Sequence, residues 1–118
     1  MKNTIKIKRL YDTPEKGDGF TILIDRLWPR GMSKQEAYWD VWLKEIAPSS
    51  ELRKWFNHEP EKWQAFKKAY EEELKDSAAL EELIDLLHHH KVVTFLYATK
   101  EREHNHAVVL KEVVEEKV

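Results

Sequence analysis

The sequence contains no cysteine and no long apolar run. Without cysteine, disulfides, thiolate metal sites and cysteine nucleophiles are excluded, and nothing indicates an oxidising compartment. No apolar stretch approaches the ~20 residues of a membrane-spanning helix. Near the N-terminus, Ile5 and Ile7 alternate with lysines where a signal peptide would have an apolar core. We therefore expect a cytoplasmic protein with no membrane partner.

Charge of neither sign dominates, because the chain has 20 basic and 22 acidic residues. Without an overall positive field, we do not expect a nucleic acid as partner. The glycines, Gly17, Gly19 and Gly31, form neither a G-x-G-x-x-G motif nor a P-loop, and G-x-S-x-G and H-E-x-x-H are absent. The histidine run at residues 88–90 falls at the predicted end of a helix, where imidazoles complement the helix dipole. We expect no cofactor and no metal ion.

Three short β patterns predict a small sheet. Ile5 and Ile7 alternate in "TIKIKRLYD", residues 20–24 form an apolar run, and "VVTFLYA" at residues 92–98 is typical of a strand covered on both faces. With 118 residues, of which 42% are hydrophobic and 36% charged, the chain suits one core. We predict a single α/β domain over residues 1–118. Its mostly parallel, three-stranded sheet should be covered by about five helices, with a helical insertion between the second and third strands.

Apolar residues at helical spacing predict the helices. Ser33 and Glu36 form a capping-box pattern that begins the first helix, and Pro48 ends it. The last helix is predicted over residues 104–116. The other helices are predicted to follow Ser49 or Ser50, Pro60 and Ser77. The bulky aromatic residues on these apolar stripes are expected to be mostly buried: Trp39, Trp42, Trp55, Trp63 and Phe66.

The stretch "DRLWPRG", residues 25–31, follows the second predicted strand and holds one acid and two arginines. If the second and third strands are parallel, their carboxyl ends meet at one edge, where open α/β sheets usually bind ligands. Asp25, Arg26 and Arg30 would then lie near the start of the last helix, whose free N–H groups favour an anion. The structural alternative is an Asp25–Arg26 ion pair, with Trp28 in the core and Arg30 in solvent.

The start of the last helix carries two further candidates. His104 and His106 are separated by one residue, so on a helix they point in different directions. One imidazole could face the crevice as an acid, a base or an anion donor, while Asn105 caps the helix or orients the ring. The alternative is that both histidines are merely exposed. Arg53 and His58 flank an aromatic pair close to a turn, and we expect them to lean over the same crevice.

Several stretches resemble the YeaO-like proteins, a bacterial and archaeal domain of unknown function. They are "KRLYD", "GFTILIDRLWPRGMSK", "LRKWFNHEPEKWQAFKKAYEEEL" and "VVTFLYATKEREHNHAVVL", and together they cover nearly the whole chain. The resemblance implies a compact α/β fold and a cytosolic setting, but no particular reaction. Longer relatives look as though they carry a Cys-His-Arg signature where this chain has His104-Asn105-His106-Ala107. Any thiol chemistry of those relatives is therefore in doubt here.

The resemblance also implies that the first two strands run parallel. The link of residues 12–19 favours a hairpin instead, since parallel crossovers usually need about a dozen residues or more. We adopt the parallel arrangement, which would place Tyr11 and Asp12 beside Asp25 and Tyr97. An antiparallel pair would remove Tyr11 and Asp12 from the site.

Two functions remain open from the sequence. The first is a small enzyme that acts on an anionic small molecule, namely a nucleotide, sugar phosphate or carboxylate, at the carboxyl ends of the strands. Its predicted catalytic residues are Asp25, His104 and His106. Its predicted ligand-binding residues are Tyr11, Asp12, Arg26, Arg30, Arg53, His58, Tyr97, Thr99, Lys100 and Asn105. The alternative is a non-catalytic ligand-binding or regulatory interaction module that uses the same basic crevice.

Overall fold

A computed structural model describes residues 4–117 as an α/β domain built on one parallel sheet. The sheet has four strands in the order β1-β4-β2-β3. The strands are β1 (Thr4–Arg9), β2 (Phe20–Leu23), β3 (Val41–Trp42) and β4 (Val92–Tyr97). The α-helices are α1 (Ser50–Phe56), α2 (Trp63–Lys75), α3 (Ala78–His89) and α4 (His106–Lys117). Short 3-10 turns cover Lys16–Asp18, Lys44–Ile46 and Pro60–Lys62.

The parallel direction of the first two strands is confirmed, although they are not neighbours. β1 and β2 each pair with β4, which lies between them, with Arg9 opposite Tyr97 and Leu23 opposite Leu96. A hairpin requires adjacent strands. Because β4 lies between β1 and β2, the short link of residues 12–19 does not form a hairpin. The buried run of β4 takes the centre because it can pack on both faces. All four carboxyl ends therefore open on one edge.

The prediction of three strands and about five helices is wrong in the segment that begins at Ser33. The capping-box contacts do form, since Glu36 Oε1 accepts from Ser33 N at 2.8 Å and Ser33 Oγ accepts from Glu36 N at 3.2 Å. However, the chain makes only a turn there. Leu43 N then donates to Leu23 O at 2.9 Å, and residues 41–42 become β3. Backbone pairing with the open edge of β2 outweighs the helical spacing.

The other predicted helices are present, and local capping explains where two of them begin. Ser49 Oγ accepts from Leu52 N at 3.1 Å at the start of α1, and Ser77 Oγ accepts from Leu80 N at 3.2 Å at the start of α3. Pro60 begins the 3-10 turn that leads into α2. These caps satisfy N–H groups that the first helical turn leaves free.

The sheet has a large core on one face and a smaller one on the other. Ile22 and Phe95 belong to the large core under the helices, whereas their neighbours Leu23 and Leu96 belong to the small one, because successive side chains of a strand point to opposite faces. The small core is covered by side chains of the β2–β3 segment, namely Met32, Tyr38, Trp39 and Trp42. No helix within residues 4–117 is long and apolar enough to cross a membrane.

The burial predicted for the bulky aromatic residues is correct for Phe66 and wrong for Trp55. Phe66 is 3% exposed, whereas Trp55 is 46% exposed. Helix α1 has only seven residues and buries Phe56, which leaves Trp55 on its outer side. There, the ammonium group of Lys62 lies 4.9 Å from the Trp55 ring centre. The remaining tryptophans, Trp39, Trp42 and Trp63, are partly buried.

Candidate functional site

A concave pocket of about 180 Å³ opens at the carboxyl edge of the sheet. It lies between the segment after β2, helices α1 and α2, and the loop that leads into α4. Seven predicted site residues line it: Asp25, Arg26, Arg53, His58, Thr99, Asn105 and His106. Five further lining residues were not predicted: Leu27, Ala47, Pro48, Phe56 and Phe66.

Asp25 and His106 meet in the wall of this pocket. His106 Nε2 lies 3.0 Å from Asp25 Oδ1 and 3.2 Å from the carbonyl oxygen of Ile24. Asp25 Oδ2 accepts from the N–H of Ala98 at 3.1 Å. The pair therefore joins the end of β2, the end of β4 and the first turn of α4.

The neighbours of His106 Nε2 determine the tautomer of the ring. Both the Ile24 carbonyl and the Asp25 carboxylate are acceptors, so Nε2 carries the hydrogen and Nδ1 has the lone pair of the neutral ring. The N–H is aligned with the Ile24 carbonyl. As a result, Asp25 Oδ1 is buried and has no aligned hydrogen bond among the described residues, although the imidazole is close to it.

Tyr70 packs against the His106 ring of the Asp25–His106 pair. It is fully buried on α2, its hydroxyl donates to Ile46 O at 2.7 Å, and its ring meets that of His106 edge-on at 6.4 Å between centres. Burial raises the pKa of the Tyr70 hydroxyl well above its ordinary value, so Tyr70 remains a neutral donor.

Arg26 connects the segment after β2 to residues 47–48, which also line the pocket. Its Nε donates to Pro48 O at 3.2 Å and its Nη2 to Ala47 O at 3.0 Å, while Nη1 lies 3.8 Å from Glu45 Oε2. The alternative predicted from the sequence, an Asp25–Arg26 ion pair, is replaced by these partners. Trp28, which that alternative placed in the core, is 40% exposed.

Arg53 and His58 stand at the mouth of the pocket. Helix α1 ends at Phe56, and the next two residues, Asn57 (φ 46°) and His58 (φ 55°), adopt the left-handed conformation. This turn places the His58 ring 5.9 Å from that of Phe56. The guanidinium of Arg53, one turn earlier, makes no hydrogen bond or ion pair within residues 4–117.

The loop before α4 is held by its own carboxylate and amide groups. Asn105 Oδ1 caps α4 by accepting from Val108 N at 3.1 Å, and its Nδ2 donates to Glu101 O at 2.7 Å. Glu101 Oε1 accepts from the backbone N–H groups of His104 and Glu103, which hold the pKa of the Glu101 carboxyl below its ordinary value. These bonds fix the loop that presents Thr99 and His106 to the pocket.

Six predicted residues lie outside the pocket. Asp12 forms two hydrogen bonds of 3.0 Å with Arg102, which hold the pKa of Asp12 below its ordinary value. Tyr11 and Arg30, two more of the six, are joined by a hydrogen bond in which the Tyr11 hydroxyl donates to the Arg30 carbonyl at 2.6 Å. The remaining three are Tyr97, which is buried, Lys100, which lines an adjoining shallow depression, and His104, whose ring lies 5.0 Å from that of Trp63. The parallel sheet brings Tyr11 and Asp12 to the predicted edge, but the pocket opens beside them.

The lining residues that sequence reasoning missed are all apolar. Phe56 and Phe66 were assigned to the core by their helical spacing, and both are indeed buried. A core position and a pocket wall have the same sequence pattern, so only the packing of neighbouring segments distinguishes them. Within residues 4–117, no group of three or more His, Asp or Glu side chains is placed to hold a metal ion.

The fold and the pocket define a small parallel α/β domain with a cavity of about 180 Å³ at the carboxyl edge of its sheet. The chain belongs to the family described as the inactive DUF488-N3 subclade, whose model matches residues 4–118. It is 42% identical over 106 residues to the uncharacterized protein YeaO of Escherichia coli, covering 90% of this chain and 92% of that protein. It is 41% identical over 110 residues to the uncharacterized protein Rv3073c of Mycobacterium tuberculosis, covering 93% of this chain and 92% of that protein. The resemblance to YeaO-like proteins is thus confirmed. No solved structure matches the chain.

Proposed function

We propose that this protein binds a small anionic molecule, either a nucleotide, a sugar phosphate or a carboxylate, in the pocket and leaves it chemically unchanged. The observation that carries the proposal is Arg53, which lines the pocket and whose guanidinium has no hydrogen bond or ion pair among the described residues. The planar fork of an arginine matches phosphate and carboxylate groups. His58 and the hydroxyl of Thr99 supply further donors around the same opening.

The positions of Asp25 and His106 favour binding over catalysis. Asp25 Oδ2 accepts from the Ala98 N–H, and the His106 Nε2–H donates to the Ile24 carbonyl beside Asp25 Oδ1. Groups that fasten two strands and a helix together are less free to exchange protons with a bound molecule. The description of the family as an inactive subclade agrees with this interpretation.

An enzyme acting on the same class of molecule is the second candidate. The 3.0 Å contact between Asp25 and His106 favours it, because a carboxylate that orients an imidazole is a common arrangement in acid–base catalysis. In that function, Nδ1 of His106 would exchange the proton. Turnover of a bound molecule that is lost in the His106→Gln variant would support the enzyme over the binding module.

A thermal-shift screen of anionic metabolites tests the proposal. A molecule present at about 100 times its Kd stabilises the protein by about 2.7 kcal/mol, so a ligand of the pocket should raise Tm clearly. The Arg53→Ala variant should lose this shift. The matched control is Lys54→Ala, which removes the same charge from the same helix but outside the pocket lining. A shift that persists in Arg53→Ala, or a screen without any shift, would contradict the proposal.

A further inference from the structure

The pocket has two chemically different parts. Phe56 and Phe66 form its apolar part; they are 5% and 3% exposed, and their rings stack with centres 4.3 Å apart and planes 19° apart. Buried Ala47 and Pro48 extend this surface. Arg53 and His58, by contrast, are exposed at the mouth. A ligand that fits both parts needs an apolar portion as well as a charge.

The size of the cavity limits the apolar portion. An apolar cavity of roughly 150 Å³ in another protein holds one benzene molecule. The volume of about 180 Å³ here is similar, so the pocket suits a single six-membered ring. Phe56 and Phe66 favour an aromatic ring over a saturated chain, because aromatic pairs gain energy beyond their buried area.

The charges in the pocket orient the ligand. The carboxylate of Asp25 is mostly buried in the wall beside His106, and it repels a second anion at that depth. Among the residues that line the pocket, the cations with exposed side chains are Arg53 and, when protonated, His58. An anionic group is therefore held at the mouth, and the ring points inwards.

We infer that the ligand is a molecule with one aromatic six-membered ring that carries a phosphate or carboxylate group. The ring packs against Phe56 and Phe66, and the anionic group binds to Arg53 and His58. This inference rests on the proposed function and narrows its ligand class. Two sources share this chemistry, namely pyrimidine nucleotides and simple aryl phosphates or carboxylates.

Calorimetric titration of the full chain with phenyl phosphate, inorganic phosphate and phenol tests the inference. Phenyl phosphate should bind about tenfold tighter than inorganic phosphate, because it also buries the ring. Arg53→Ala should weaken binding of both phosphates and leave phenol binding unchanged, whereas Lys54→Ala should change none of them. Ala47→Leu fills the cavity and should remove the advantage of phenyl phosphate over inorganic phosphate. In case that variant does not fold, nuclear Overhauser contacts between phenyl phosphate and Phe66 in the wild type provide the same test.

The outcomes separate this inference from the proposed function. If inorganic phosphate binds as tightly as phenyl phosphate and depends on Arg53, the ring is wrong and the proposed function stands. If phenyl phosphate, inorganic phosphate and benzoate all fail to bind, both the inference and the proposed function are wrong. If phenol binds as tightly as phenyl phosphate, the anionic group is wrong and the proposed function fails with it. Comparison of uridine monophosphate with benzoate then distinguishes the two sources, and adenosine monophosphate binding as tightly as uridine monophosphate would overturn the limit of one ring.

Discussion

His106 Nε2 lies 3.0 Å from Asp25 Oδ1, and this contact ties the first turn of α4 to the segment that leaves β2. The two residues are far apart in the sequence, yet their side chains form one wall of the pocket. The contact thus connects two segments that the chain itself keeps apart.

Replacement of His106 by alanine should lower the free energy of unfolding by about 1–3 kcal/mol, since the Ile24 carbonyl and Asp25 lose a partner in a buried place. His106→Gln should lose less, because its amide N–H can still donate to that carbonyl. Urea denaturation of the wild type and both variants measures the difference. Equal stability of His106→Ala and the wild type would show that the contact is not a brace.

Gly19 should be the least replaceable glycine. Its φ is +67°, and a Cβ added there would clash with the carbonyl oxygen and side chain of Val92, at the start of the central strand. Gly19→Ala should therefore destabilise the fold by about 2 kcal/mol or more. Gly17→Ala is the control, because a Cβ at Gly17 meets only the flexible end of Lys6. Chemical denaturation should rank the two variants in that order, and the reverse ranking would contradict the close approach to β4.

Two aromatic residues of the helical segment should differ strongly in their contribution to stability. Phe66→Ala should cost about 3–5 kcal/mol, since Phe66 is buried among other aromatic rings. Trp55→Ala should stay within about 0.5 kcal/mol, as is usual for exposed positions. Denaturant melts of the two variants provide the measurement. A large loss in Trp55→Ala would mean that this side chain is covered in solution.

Stability should depend on pH through Asp18. Burial raises the pKa of this carboxyl, but the hydrogen bond and charge of Lys8, together with the Glu15 N–H, outweigh it and lower the pKa below its ordinary value. The side chain is 8% exposed and lies 2.9 Å from Lys8 Nζ. A lowered pKa in the folded state means that the stabilisation is fully present above the unfolded pKa of about 3.9. It is lost as the pH falls through the lower folded value.

The Asp18→Asn variant tests this dependence. It should be less stable than the wild type by about 1–3 kcal/mol at pH 7, because a charge-assisted hydrogen bond is lost. The difference should shrink as the pH falls below the folded pKa, where Asp18 is protonated in both states. Urea denaturation of both proteins over this pH range measures the effect. A difference that does not change with pH would show that the Asp18 charge contributes nothing.

Local signals predicted several elements correctly. Ser49 and Ser77 cap α1 and α3 through hydrogen bonds to N–H groups three residues later, so these helix starts depend on nearby residues alone. The continuous apolar run of β4 identified a strand that is covered on both faces. Ser33 and Glu36 show the limit of such signals, because their capping contacts form without a helix behind them.

The sequence by itself determined the parallel α/β class, the family, most helix starts and the edge of the sheet at which a pocket opens, because these depend on short-range spacing and on shared motifs. Only the tertiary structure decided that residues 41–42 form β3, since that requires the free edge of β2. It also decided that Arg30 and Lys100, which were expected at the same site as Arg53 and His58, lie outside the pocket. Which side chains from distant segments meet there follows from packing that no local pattern encodes.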